Sequence, residues 1–450
     1  MTLASIILAA GQGTRMHSKL PKVAHKIAGK PMIWHALQAV AALVEQPPVI
    51  VVGYGAEDVK KSLQEDVVFA LQEEQLGTGH AVACVRDLLK AKSEVVLVTF
   101  GDMPLLRKES IEKLIRLHQG SNSPVTMTSF IGDEARGFGR VLRNQAGHVI
   151  GIVEQVDATP EQLAIREYNV SAYCFNADWL WDSLEQIPIS PKGEYYLTDV
   201  VGLAVTQGYD VEALVLDDPE EAIGINTRVH LATAEKIFRK RINEKWMLAG
   251  VTLINPDATY IEPGVTIGKD SVIFPNTYLC GSTNIGEDCE IGPDTTILDS
   301  KIGKQVIINF SVIEHAEIAD RVTMGPFCHL RKGAILKEGV HLGNFGEVKD
   351  SCLGAGTKMG HFSYIGNAVI GENVNIGAGT ITCNYDGKNK NPTEIGNDVF
   401  IGSDTMLVAP VKIGDRSRTG AGSVVTHDVP PDTLVYGVPA KEKKNLEKSD

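Results

Sequence analysis

The chain has 450 residues, more than one typical hydrophobic core holds, so two or three domains are expected. Its 43 Lys and Arg against 56 Asp and Glu leave a net charge of −13, which argues against a nucleic-acid partner because phosphate recognition needs a basic footprint. With 43% hydrophobic and 22% charged residues, the chain is neither disordered nor a small disulfide scaffold.

The first element is a buried strand, Ser5-Ile6-Ile7-Leu8-Ala9-Ala10, which runs directly into a glycine loop. No basic segment precedes it, so it reads as a core strand and not as a signal peptide. Residues 49–52 and 94–98 read as strands in the same way, and 31–44, 79–92 and 108–119 carry helical spacing. Alternating β and α elements imply a mostly parallel sheet covered by helices. Leu231, Ala234, Ile237, Phe238, Ile242 and Trp246 fall at steps of three or four and predict one linking helix over 228–248, stopped by Gly250. No apolar run approaches the ~18 residues that span a bilayer. The seven cysteines are odd in number and form no CxxC pair, so they read as reduced thiols in a cytoplasm.

From residue 251 the period becomes six. Ile267, Ile273, Leu279, Ile285, Ile291 and Ile297 keep it; after a slip Ile302 and Ile308 resume it, and after a polar interruption at 382–392 come Ile395, Ile401, Leu407 and Ile413. An amphipathic helix cannot hold one face at a period of six, and a plain strand would not set glycine at every sixth residue. The pattern predicts a parallel β-helix of hexapeptide strands, three to a triangular coil of about 18 residues and roughly ten coils in all. The aliphatic side chains point inward, and the small residue beside each lets the chain turn a corner. The interruption is a loop thrown out of a rigid wall, where function usually sits.

Two sets of polar residues carry chemistry. Gly11 and Gly13 let backbone N–H groups approach phosphate oxygens, and Arg15 and Lys22 add positive charge where a triphosphate would lie. The spacing is neither the Rossmann GxGxxG nor the Walker pattern. Asp102 follows a buried strand and precedes Met103-Pro104, which favours a metal ligand over a turn residue. In the repeats, 325–364 is rich in polar groups. Acyl transfer to an amine needs a base, for which His361 is suited, and Glu347 is the candidate to orient its ring. On spacing alone a histidine among repeats is more often a structural residue than a catalytic one. His315, His329, His341 and His361 show no short zinc-ligand spacing.

Leu8 to Lys22 resembles the signature LxxGxGTRxxxxxPK of sugar-nucleotide pyrophosphorylases. Further matches are Gln75-Leu76-Gly77-Thr78-Gly79-His80-Ala81, Gly101-Asp102-Met103-Pro104-Leu105, Gly137-Phe138-Gly139-Arg140 and Gly193-Glu194-Tyr195-Tyr196-Leu197-Thr198-Asp199. Together with the hexapeptide half, residues 4–440 resemble the family of bacterial bifunctional N-acetylglucosamine-1-phosphate uridyltransferases / glucosamine-1-phosphate acetyltransferases. The resemblance implies a Rossmann-like α/β nucleotidyltransferase domain with a mostly parallel sheet over 1–227, a linker helix over 228–248, and a left-handed parallel β-helix with a C-terminal tail over 249–450.

By the same resemblance, Leu8, Ala9, Ala10, Gly11 and Lys22 line the UTP site, Gln72, Gly77 and Thr78 read uracil, and Asp102 and Asn226 hold Mg²⁺. Gly139, Glu154 and Asn169 bind the sugar, with Phe100 and Gly101 beside the metal; Phe100 stands where the family carries tyrosine. His361 is the general base. Arg331, Lys349, Tyr364 and Asn375 hold the acceptor sugar phosphate. Ala378, Asn384, Tyr385, Ser403, Ala421 and Gly437 contact acetyl-coenzyme A. Gly437 stands where some relatives carry an arginine, which Lys441, Lys443 or Lys444 could replace unless they form a solvated tail. The implied partners are the small substrates glucosamine-1-phosphate, acetyl-coenzyme A and UTP, and two further copies in a homotrimer, with no nucleic acid and no membrane. A single-activity nucleotidyltransferase with a regulatory β-helix would not need His361, Tyr364, Asn384 and Tyr385.

Overall fold

The computed structural model describes residues 2–133 and 137–445. The chain divides into two compact units, Met1–Phe238 and Arg239–Asp450, with the division inside the helix Arg228–Leu248.

The first unit is built on strands β1 (Leu3–Leu8), β2 (Val49–Val52), β3 (Val68–Leu71), β4 (Val95–Phe100), β5 (Val125–Ile131), β6 (Glu167–Asn176) and β7 (Glu212–Val215). They lie side by side in the order β7-β5-β6-β4-β1-β2-β3. All neighbours run parallel except β6, which is antiparallel to β4 and β5. The central strands are apolar on both faces because helices cover both. Ile7 and Ile50 face Ile33, Leu37, Leu114 and Ile115, while Ile6 and Val51 face Val82, Leu180, Trp181 and Val200. Burying each such side chain contributes about 1.5–3 kcal/mol. The stretch 79–92 departs from the single expected helix. It forms Thr78–Ala83 and Arg86–Leu89, broken where the Val85 N–H turns back to the Val82 carbonyl at 3.2 Å.

The second unit is a three-walled parallel β-helix. One wall carries the inward column Ile267, Ile285, Ile302, Ile318, Leu336, Leu353, Ile370, Ile395 and Ile413, each paired with the next. One wall has ten strands, matching the expected number of coils. The glycine that follows most residues of this inward column has a different reason from the one expected. A Cβ on Gly268 would come within 2.5 Å of the Gly286 backbone on the next coil, so glycine there answers close stacking. The corners are made by left-handed residues such as Asp270, Asp288, Asn373 and Asp398. In the tail, Ala440–Asn445 pairs antiparallel with Thr433–Gly437, and the side chains of Lys441 and Lys443 are exposed.

Candidate active sites

Loops leaving the C-terminal ends of β1, β3 and β4 surround one cleft of about 520 Å³, the usual ligand position in an open α/β sheet. Leu8, Ala9, Ala10, Gly11, Lys22, Gln72, Gly77, Thr78, Phe100, Asp102 and Glu154 line it. Gly139 and Asn169 line a smaller cavity of about 180 Å³ that shares Thr78, Phe100 and Glu154 with the cleft. Gly101 lies behind the wall, its N–H bonded to the Leu8 carbonyl at 2.9 Å. Arg15 sits apart: it is exposed on the short turn Thr14–Met16, which left-handed Gly13 and His17 bracket.

Lys22 Nζ donates to Asp102 Oδ2 and, at 3.0 Å, to Asn226 Oδ1. One anionic and one neutral oxygen therefore converge on a single cationic point. That donor pair suits a hard divalent cation such as Mg²⁺, with phosphates and water to complete the shell. Among the described residues no cluster of three His, Cys, Asp or Glu offers a richer site. Arg228, the first residue of the long helix, donates to the Met16 carbonyl at 3.3 Å and pins the signature loop beside Asn226.

Glu154 accepts from Thr198 Oγ1 at 3.0 Å. Burial pushes its carboxyl above the ordinary range; the Thr198 bond opposes this, while the charges of Asp199, Asp157 and Glu194 add to it. The Asn169 amide is fixed from two sides: its Nδ2 donates to Tyr173 Oη at 2.6 Å, and its Oδ1 accepts from the Ser171 N–H at 3.2 Å. Sequence reasoning missed Thr198, Tyr173 and Ser171 as site residues, and only Thr198 lies within one of the matching motifs.

In the β-helix the register sets the second site. Leu330 pairs with Val348 and Glu347 with Tyr364, so Arg331 and Lys349 occupy the same position on successive coils. Lys390, from the inserted loop, joins them: its proximity is the main force pulling the Lys349 ammonium below its ordinary range, with the Arg331 charge adding to it. Nothing in the sequence singles out Lys390, although it lies in the loop expected to carry function. The expected pairing of Glu347 with His361 is not what the chain shows. Glu347 accepts from Arg331 Nη1 at 3.0 Å, because both stand on one sheet face, whereas His361 is on a corner. No hydrogen bond joins Glu347 to the His361 ring among the described residues. Gly366 is a further requirement, since a Cβ there would strike the Tyr364 hydroxyl and come within 2.8 Å of Asn384 Nδ2.

Met359, Ile376, Ile401, Thr419 and Val435 form a paired column. Two residues beyond each stand His361, Ala378, Ser403 and Ala421, which share one corner, and Gly437, which ends the strand Thr433–Gly437 in line with them. Strands about 4.8 Å apart make this row roughly 19 Å long, with an imidazole at one end and small side chains beyond it. Asn375 lies one residue before Ile376 on the adjoining wall. Asn384 is buried and donates to Asn367 Oδ1 at 2.7 Å, whereas Tyr385 is exposed and bonds the Gly387 carbonyl at 2.8 Å. Lys443 lies over the Tyr436 ring at 5.4 Å; the side chain of Lys444 is outside the described residues.

Comparison with known proteins matches a different family to each unit. Residues 5–186 match the MobA-like NTP transferase domain, and residues 264–299 and 392–427 match the bacterial transferase hexapeptide family. The chain is 47% identical over 431 residues to the bifunctional protein GlmU of Heliobacterium modesticaldum, covering 96% of this chain and 94% of that one. It is 48% identical over 441 residues to the protein of that name from Streptococcus suis, covering 98% and 96%. The Halalkalibacterium halodurans protein of that name is 46% identical, covering 96% and 95%.

Proposed function

Since the chain belongs to the bifunctional GlmU family, we propose that each unit carries one of two successive group transfers, with the residues described above. The protein acetylates glucosamine-1-phosphate with acetyl-coenzyme A and then transfers UMP from UTP to the resulting N-acetylglucosamine-1-phosphate, releasing pyrophosphate.

In the acetyl transfer, Arg331, Lys349 and Lys390 neutralise the sugar phosphate, and Tyr364 and Asn375 hold the sugar. His361 accepts the proton of the attacking amine, the new C–N bond forms at the thioester carbonyl, and the thiolate of coenzyme A leaves. The row of Ala378, Ser403, Ala421 and Gly437 gives an extended thioester arm a course that ends at the imidazole, with Asn384 and Tyr385 beside it. Glu347 serves this site through Arg331, whose guanidinium it orients.

In the uridyl transfer, a phosphate oxygen of the sugar attacks the α-phosphorus of UTP, and positioning with charge neutralisation supplies the rate. Backbone groups of Leu8 to Gly11 and the ammonium of Lys22 hold the triphosphate. Asp102 and Asn226 would hold Mg²⁺, which supplies further positive charge to the phosphates. Gln72, Gly77 and Thr78 select the base, and Gly139, Glu154 and Asn169 grip the sugar.

The observation that carries this reading is that Lys22, Asp102 and Asn226 converge in one unit, while Arg331, Lys349 and Lys390 gather in the other. Mass spectrometry of the products from glucosamine-1-phosphate, acetyl-coenzyme A and UTP tests it. UDP-N-acetylglucosamine, free coenzyme A and pyrophosphate are expected. Absence of thiol release would leave a nucleotidyltransferase with a silent β-helix, and absence of pyrophosphate would remove the uridyl transfer.

The β-helix also supports a homotrimer. Phe310, Phe327, Phe345 and Phe362 occupy one position on successive coils and are 39%, 54%, 57% and 57% exposed. The rings of Phe327 and Phe345 stack at 5.3 Å. Such an apolar ladder beside His361 fits a second copy. Light scattering should report three chains, falling to one for Phe327→Asp; a wild-type monomer would refute it. Among the described residues no helix is long and apolar enough to cross a membrane.

A further inference from the structure

The stretch Gln75 to Ala81 includes a histidine, His80, that the two transfers above leave without a task. It lies one helical turn from Gly77 in the helix Thr78–Ala83. Gln72 leaves the end of β3, is only 3% exposed, and has its side-chain amide between two acceptors. Gln72 Nε2 donates to the Gly77 carbonyl at 3.1 Å and lies 3.1 Å from His80 Nδ1.

These contacts fix both residues chemically. A carbonyl oxygen only accepts, so the amide atom facing Gly77 is the nitrogen and not the oxygen. The same nitrogen only donates, so His80 Nδ1 must accept and carries no proton. The ring proton is then on Nε2, which faces Cys84 Sγ at 4.0 Å. With the amide hydrogens engaged by Gly77 and His80, Gln72 has one group left for a ligand, the Oε1 acceptor. Uracil presents an N3–H donor. Cytosine presents a bare N3 acceptor on that edge, which would meet Oε1 lone pair to lone pair.

We infer that His80 is the positioning residue that makes Gln72 a reader of uracil and a rejecter of cytosine. This rests on the reading that Gln72 faces the base. Without the His80 acceptor, the amide is held by Gly77 alone, and rotation would offer a donor suited to cytosine. Sites that hydrogen-bond a substrate edge discriminate strongly, because a mismatch leaves buried groups unpaired.

The test is the ratio of kcat/KM for UTP to that for CTP in pyrophosphate release, measured on the full chain. His80→Phe keeps the ring volume and removes the acceptor; it should lower the ratio about tenfold or more. His80→Asn, whose side-chain oxygen can accept from the amide, should stay within about threefold of wild type. Equal loss of both nucleotides in His80→Phe, or an unchanged ratio, would overturn the inference. If thermal melting shows that His80→Phe does not fold, His80→Ala replaces it: a lowered ratio supports the role of His80, and an unchanged one overturns it. Gln72→Ala separates the premise from the inference. A wild-type ratio there removes the reading of Gln72 itself, whereas a collapsed ratio there beside an intact one in His80→Phe removes only the role of His80.

Discussion

The two units assemble their sites by opposite means. In the α/β unit, the site is drawn from separate stretches between Leu8 and Asn226, several of them loops at strand ends. In the β-helix, the site is written in columns: Arg331 above Lys349, and His361 in line with Ala378, Ser403, Ala421 and Gly437. A sheet covered by helices folds as one core, so its site depends on every element reaching the sheet. A solenoid coil touches only its neighbours, so its site depends on local register.

The largest expected effects test whether the two chemistries are separate. Asp102→Ala should lower pyrophosphate release about 10³-fold and leave thiol release from acetyl-coenzyme A intact. His361→Ala should do the reverse, by roughly 10²–10⁴-fold, the usual worth of a general base. If either variant, folded by circular dichroism, lost both activities, the division would be broken.

A core substitution tests the contrast in stability. Ile308 is fully buried between coils, and Ile308→Ala should cost about 2–5 kcal/mol. The loss should appear in heat inactivation of acetyl transfer, while inactivation of uridyl transfer is unmoved. A shared shift in both would show that the units unfold as one.

Lys390→Met sharpens the picture of the phosphate cluster. The KM for glucosamine-1-phosphate should rise about tenfold, since one of three cations is lost. The Lys349 ammonium should also recover toward its ordinary range, because Lys390 is its main depressor. An unchanged KM in steady-state kinetics would remove Lys390 from the site.

The smallest effect concerns Glu154. Its carboxyl is raised in the fold, so the protonated form is favoured there and ionisation works against stability. Glu154→Gln should therefore raise the melting temperature at pH 7. The gain should fade as pH falls through the raised value and be gone below the ordinary glutamate range near pH 4.3. A gain that persisted in acid would point to packing and not to charge.

The sequence alone carried the change of period at residue 251, the linking helix, the inward columns of the solenoid, and the presence of the strands read at 5–10 and 94–98, which form as Leu3–Leu8 and Val95–Phe100. These are legible because side-chain burial repeats with the geometry of the element that causes it. It could not show that Glu347 serves Arg331 and not His361, that Lys390 swings in from the inserted loop, or that Gly366 makes room for Tyr364 and Asn384. Nor could it show the Gln72, Gly77 and His80 contacts, or the convergence of Asp102 and Asn226 on Lys22. Those are matters of a few ångströms between side chains from different segments, and periodicity holds no information about them. Only the packed chain, by fixing which strand ends and corners meet, decides which polar groups pair and which are left for a ligand.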